Sequence, residues 1–200
     1  RREAVVPLLQ GDVGIQKVDY EIVGPIRIVG AGRLVDRKNF DVLIDSITHL
    51  RGEGIDVRLD IFGDGPEREA LARKINAEGL GEAIRLLGHV ERWLAQAASC
   101  DIFVNMSDTE GFCIVVAEAL SAGLPVIATN VGGIRDYGVD GMNMLKLPAV
   151  DAALLASAVG RLVADKELRR GLGEHGRADM WRDYSAEAIA SCRIRVIGEG

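Results

Sequence analysis

Two acids, Glu110 and Glu118, bracket the segment Glu110-Gly-Phe-Cys-Ile-Val-Val-Ala-Glu118, and two cations, Arg33 and Lys38, stand well upstream of it. Carboxylates accept hydrogen bonds from hydroxyls. Guanidinium and ammonium groups pair with phosphate, arginine through its planar fork and lysine as a point charge. Together they suit a ligand with both hydroxyls and phosphate, such as a sugar on a nucleoside diphosphate. If both acids were helical, their spacing would separate them by about 12 Å and turn them roughly 80° past two full circles. They would not share a face. Glu110-Gly111 is therefore expected in the loop ahead of a helix, with Glu118 about two turns along. The N–H groups of Phe112, Cys113, Ile114 and Val115 are expected to point to the helix start, where an anion is favoured.

A plainer alternative exists for each group. Glu110 then only complements the helix dipole and Glu118 lies on a wet face, while Arg33 and Lys38 form a surface basic cluster. Val115, Val116, Ala117, Ala119 and Leu120 surround Glu118, however, and a carboxylate among apolar neighbours needs a partner.

The elements that must position these residues follow an alternating rhythm from residue 26 onward. Apolar runs at Ile26–Val29, Val57–Phe62, Ile84–Leu87, Asp101–Asn105, Pro125–Thr129 and Met144–Leu147 read as strands. Helical spacing appears in Phe40, Leu43, Ile44, Ile47 and Leu50, then in Leu71, Ala72 and Ile75 behind Pro66, with Gly79 as a cap. Residues 91–98, the segment carrying Glu118, and 151–164, 165–180 and 186–193 also read as helices. The fold class is α/β: a Rossmann-like parallel sheet of about six strands with helices on both faces. Ligands bind such sheets beyond the carboxyl ends of the strands, where strand order reverses. Arg33, Gly63–Gly65, His89 and Glu110 each follow a strand and should converge on one rim.

Three cysteines and three histidines, widely spaced, make neither a disulfide framework nor a metal-ligand pattern and fit a reducing cytoplasm. A net charge of -6 argues against a nucleic-acid surface. No apolar run reaches the ~18–20 residues of a membrane span. Gly30-Ala-Gly32 fails the dinucleotide fingerprint because its third glycine would fall at Val35. Ala119-Leu-Ser121-Ala-Gly123 is read as a helix end rather than a nucleophile elbow. Gly132-Gly133-Ile-Arg-Asp136 is read as a turn, His89 as a surface histidine, and Trp181 and Tyr184 as packing.

In order along the chain, these segments resemble the donor-binding half of the retaining glycosyltransferases of family 4 (group 1), which have the GT-B arrangement of two Rossmann-like domains. The resemblance rests on Gly32-Arg-Leu-x3-Lys38, Gly63-Asp-Gly-Pro66, Ser107-x2-Glu-Gly-Phe112 with Glu118, Gly123-x-Pro-Val-Ile-Ala-Thr129, Gly132-Gly133-x2-Asp136 and Trp181-x2-Tyr-Ser185. It implies that Arg33 and Lys38 neutralise the donor diphosphate, beside Gly32. Glu110 would hold the transferred hexosyl group, Glu118 the ribose, and the amides after Gly111 the phosphate. His89 and Val90 would lie near the nucleobase.

The donor would be a UDP-, GDP- or ADP-sugar, with no metal and no other cofactor required. Asn39 stands where the family commonly has glycine, Asp136 where it has glutamate, and Asp140-Gly-Met-Asn-Met-Leu145 is a loose copy of a further motif. The resemblance divides the chain into a lead-in at 1–25, the donor-binding domain at 26–185 and a C-terminal helix or tail at 186–200. Arg1 in place of Met at the first position fits a portion of something longer. An amino-terminal acceptor domain outside this sequence would be the partner, and transfer by this piece alone would be inefficient. The setting would be cytoplasmic, with any contact to the inner face of a membrane made by that other half. The rivals are a nucleotide-sugar epimerase or sugar-phosphate synthase of similar fold, and a non-catalytic interaction module.

Overall fold

A computed structural model describes residues 15–185 of the chain. The strands are β1 (Ile26–Ala31), β2 (Val57–Phe62), β3 (Ile84–Gly88), β4 (Ile102–Asn105), β5 (Val126–Thr129) and β6 (Leu145–Leu147). Between and after them run α1 (Phe40–Gly52), α2 (Arg68–Ala77), α3 (Trp93–Ala97), α4 (Ile114–Ser121), α5 (Ile134–Tyr137), α6 (Ala152–Ala164) and α7 (Lys166–Tyr184). All six strands form one parallel sheet in the order β3-β2-β1-β4-β5-β6. The chain thus runs outward from β1 to β3, returns to the centre, and runs out the other way. The reversal lies between β1 and β4, where Ile28 pairs with Ile102 and Val29 with Phe103.

Successive strand side chains point to opposite faces, so an all-apolar strand feeds two cores at once. Ile28, Leu59 and Val104 pack with α1, α2 and α6, whereas Val29, Phe103 and Val126 pack with α3, α4 and α5. Helices therefore cover both faces, as the apolar strands predict. The aspartates ahead of α6 and α7 cap them: Asp151 accepts from the N–H of Leu154 at 2.8 Å and Asp165 from that of Leu168 at 2.9 Å.

Two local readings need adjustment and a third is untested. Gly132-Gly133 opens a single helical turn, α5, where only a turn is expected from sequence. Ile134 and Tyr137, three apart, bury its inner side, and four residues are too few for a periodic signal. Helix α7 extends to Tyr184 rather than ending near 180. The helix expected at 186–193 lies outside the described residues.

Residues 15–25 add no strand, yet Lys17 and Tyr20 are buried. The Tyr20 hydroxyl donates to the Gly123 carbonyl at 2.9 Å. No helix among the described residues is long and apolar enough to cross a membrane.

Candidate functional site

At the point of reversal the loops after β1 and β4 lie side by side, and this adjacency brings Lys38 to Glu110. The Lys38 ammonium donates to Glu110 Oε1, and the Ser107 hydroxyl donates to the same oxygen at 2.6 Å. The lysine and glutamate side chains are only 11% and 9% exposed. Burial pushes the Glu110 carboxyl up, but the hydrogen bonds from Lys38 and Ser107 and the lysine charge outweigh it, leaving the group below the ordinary 4.5. At neutral pH Glu110 is an anion held by two donors.

Glycines let the loops approach this closely. A Cβ on Gly132 would lie 1.9 Å from the Glu110 carbonyl oxygen, and φ there is +50°. The N–H of Gly133 donates to the Gly111 carbonyl at 2.6 Å. The segment read from sequence as a turn is thus the floor on which the Glu110-Gly111 loop rests. On the other half of the sheet, a Cβ on Gly63 would meet the Gly32 carbonyl oxygen at 1.8 Å, locking the β2 loop against the β1 loop.

Phe112 packs between Tyr137 and Tyr184, with ring centroids 5.2 and 5.3 Å away, and the Tyr137 hydroxyl donates to the Phe112 carbonyl at 3.0 Å. Cys113 is buried and left-handed, with φ 62°. Asn105 Nδ2 donates to its sulfur at 3.6 Å. Burial, with the nearby Glu110 charge, pushes the thiol up to about 12. Because Cys113 is left-handed, α4 starts only at Ile114, and Glu118 sits a little over one turn into it, not two. Val116 and Ala117 N–H groups bond back to the Cys113 carbonyl, so Ile114 and Val115 carry the first-turn amides that no carbonyl of the helix can satisfy. The Phe112 and Cys113 amides belong to the loop rather than to the helix start.

Beside this cluster lies a cavity of about 450 Å³, within the range of small-ligand sites. Gly32, Arg33, His89, Val90 and Val115 line it, together with Trp93, Asp64 and Glu91. Among the described residues the exposed Arg33 guanidinium has no carboxylate partner. Lys38 reaches the same wall, because a Cβ on Gly32 would lie 3.8 Å from its Nζ. Arg33 therefore lines the cavity, with Lys38 against its Gly32 wall and Glu110 bonded to Lys38 on the same rim of the sheet.

Glu118 stands behind the wall, bonded to a lining residue that sequence reasoning did not single out. Trp93 Nε1 donates to Glu118 Oε2 at 3.0 Å. The partner demanded by its apolar neighbours is an indole. Burial raises the Glu118 carboxyl above the ordinary 4.5, and the Trp93 bond only partly opposes this. Trp93 carries no spacing signal, since an aromatic in a short helix reads as core. Ser107 was visible only as a letter in a motif, and Asn39 only as a departure from the family's usual glycine.

The arrangement offers a cavity lined by Arg33, His89, Asp64 and Glu91, a buried Lys38–Glu110 pair beside it and a further acid, Glu118, bonded to its Trp93 wall. It can bind a phosphorylated polyol and stabilise negative charge on a departing phosphate.

Residues 15–179 match the family model described as glycosyl transferases group 1. The chain is 32% identical over 181 residues to the lipopolysaccharide core biosynthesis glycosyltransferase LpsE of Rhizobium meliloti, covering 90% of this chain and 52% of that protein. Among solved structures, Anabaena HepE in complex with UDP and glucose superposes with a TM-score of 0.80 at 21% identity, covering 88% of this chain and 48% of that one. Sucrose-phosphate synthase from Thermosynechococcus elongatus superposes with a TM-score of 0.78 at 27% identity, over 88% of this chain and 45% of that one. The chain spans about half the length of these relatives.

Proposed function

The chain belongs to the glycosyl transferases of group 1, and from that premise we propose that it forms the half of such an enzyme that binds the nucleoside-diphosphate-sugar donor. The observation that carries this reading is the Lys38–Glu110–Ser107 cluster on the same rim as a cavity lined by Arg33. Arg33 and Lys38 take the diphosphate and stabilise the charge that develops as the nucleoside diphosphate leaves. The amides of Ile114 and Val115 support the phosphate from the start of α4. Glu110 accepts hydrogen bonds from hydroxyls of the transferred hexose, Glu118 takes the ribose hydroxyls, and His89 and Val90 flank the nucleobase.

In this reading the two cations supply the counter-charge and no metal is required. The sugar is transferred with retention of its anomeric configuration. The acceptor binds in a domain outside residues 26–185, and efficient transfer depends on that domain. A cytoplasmic setting, with any membrane contact made by the acceptor half, belongs to the same proposal. A sugar-phosphate synthase of similar fold is the rival reading, and the sucrose-phosphate synthase from Thermosynechococcus elongatus shares this fold. Product analysis of the full-length enzyme with sugar-phosphate and lipid-linked acceptors separates the two.

Calorimetric titration of the chain with UDP, GDP and ADP tests the donor reading. Binding of at least one is expected, and it should weaken as salt rises because cations meet phosphates. Replacing Arg33 or Lys38 with Ala should cost roughly 1–3 kcal/mol of binding free energy through the lost charged hydrogen bond. Unchanged affinity in both variants overturns the phosphate assignment.

A further inference from the structure

Among the described residues only Asn39 and Cys113 hold a left-handed backbone without being glycine. Asn39 directly follows Lys38, and Cys113 comes three residues after Glu110, so both strained positions adjoin the buried ion pair. Such strain costs free energy and persists where the surroundings hold it in place. If residue 39 had only to turn left-handed, glycine would do so without steric cost.

The carboxamide has a further task. Asn39 Nδ2 donates to the Met106 carbonyl at 2.9 Å. On the other side of Lys38, the N–H of Asp108 donates to the Arg37 carbonyl at 3.1 Å. Residues 37 and 39 are thus strapped to residues 108 and 106. Lys38 lies between the straps on one loop and Ser107 between them on the other, and both donate to Glu110 Oε1. The Arg37–Asp108 strap is main chain to main chain and any sequence can form it. The Asn39–Met106 strap requires a side-chain donor.

We propose that Asn39 is a positioning residue, whose carboxamide ties the Lys38 loop to the end of β4 and so fixes where the ammonium meets the donor phosphate. The inference rests on the donor-binding reading above. It assigns to this chain's asparagine a role that acts through Lys38.

The test is a double-mutant cycle read by calorimetric titration of the 200-residue chain with UDP. Asn39→Gly keeps the left-handed turn and removes the donor. It should weaken UDP binding about three- to tenfold. In a Lys38→Ala background the same change should shift affinity by less than about twofold, because residues acting as one unit are not additive. Asn39→Asp, which tolerates the left-handed turn but presents only acceptors to Met106, should behave as Asn39→Gly does.

Equal losses in both backgrounds would mean a general structural role and would overturn the proposal. So would wild-type affinity in Asn39→Gly, or failure of both the glycine and aspartate variants to fold. If the unaltered chain bound none of UDP, GDP and ADP, the donor reading itself would fall and this inference with it. Binding by the unaltered chain that Asn39→Gly leaves untouched removes the inference alone.

Discussion

Trp93 Nε1 donates to Glu118 Oε2 across 3.0 Å, so one indole both walls the cavity and holds an acid behind that wall. The ring packs on Phe103 and Phe62, with centroids 5.5 and 6.1 Å away, which leaves the N–H little freedom to aim elsewhere. Replacing Trp93 with Phe keeps most of the packing and removes the donor. Affinity for UDP should fall by about 1.5–3 kcal/mol, the worth of a hydrogen bond to a charged group, while binding of inorganic pyrophosphate stays unchanged. Equal losses for both ligands would separate Glu118 from ribose recognition.

Glu118 should also reveal itself in pH-dependent stability. Its folded pKa is raised by burial above the ordinary 4.5, so its contribution to stability is present below that value and is lost as pH rises through the folded pKa. Glu118→Gln keeps an acceptor for Trp93 and cannot ionise. Its urea midpoint should exceed that of the unaltered chain at neutral pH, and the advantage should shrink as pH falls toward 4. A constant difference at every pH would contradict the burial argument.

The ion pair implies a competition. Lys38 donates to Glu110 in the structure without ligand, whereas the proposed function sends the ammonium to a phosphate and the carboxylate to sugar hydroxyls. Glu110→Gln should therefore bind UDP as tightly as the unaltered chain or a few-fold more tightly, because the attraction to be broken is weaker. It should lose any preference for UDP-glucose over UDP. Its folding stability should drop by about 3 kcal/mol, since one charge of a buried pair is left without its partner. Stability should also fall in the unaltered chain as acid protonates Glu110, whose folded pKa is depressed. Titrations with both ligands and urea unfolding measure all of these.

Gly132→Ala tests the support beneath Glu110. The added Cβ would meet the Glu110 carbonyl oxygen at 1.9 Å on a backbone with φ +50°. Overpacking and left-handed strain together should cost about 2–4 kcal/mol in urea unfolding. The same variant should impair UDP-glucose binding more than UDP binding, because the loop it displaces carries Glu110.

Much of this site was legible residue by residue. Arg33, Gly63, Asp64 and His89 line the cavity beyond the strand ends, where the strand–loop rhythm led us to expect them, whereas the direct Lys38–Glu110 ion pair was not foreseen. Trp93 was not legible, because its single hydrogen bond joins two helices that share no sequence pattern. Gly132 and Gly133 read as a turn because their purpose lies in a loop more than twenty residues upstream. Glu118 came one turn closer to the helix start than expected because the left-handed Cys113 delays α4, and nothing in a cysteine announces that conformation.

Taken by itself, the sequence determined the strands and the longer helices among the described residues, the two-faced sheet and the identities of the charged groups. Each follows from a period of two or 3.6 residues or from the chemistry of a side chain. Tertiary structure decided which groups meet. Placing β4 beside β1 rather than β3 is a choice among whole-sheet arrangements, made by burying both faces together. It alone sets the Lys38 ammonium against Glu110, Asn39 against Met106 and the indole of Trp93 against Glu118.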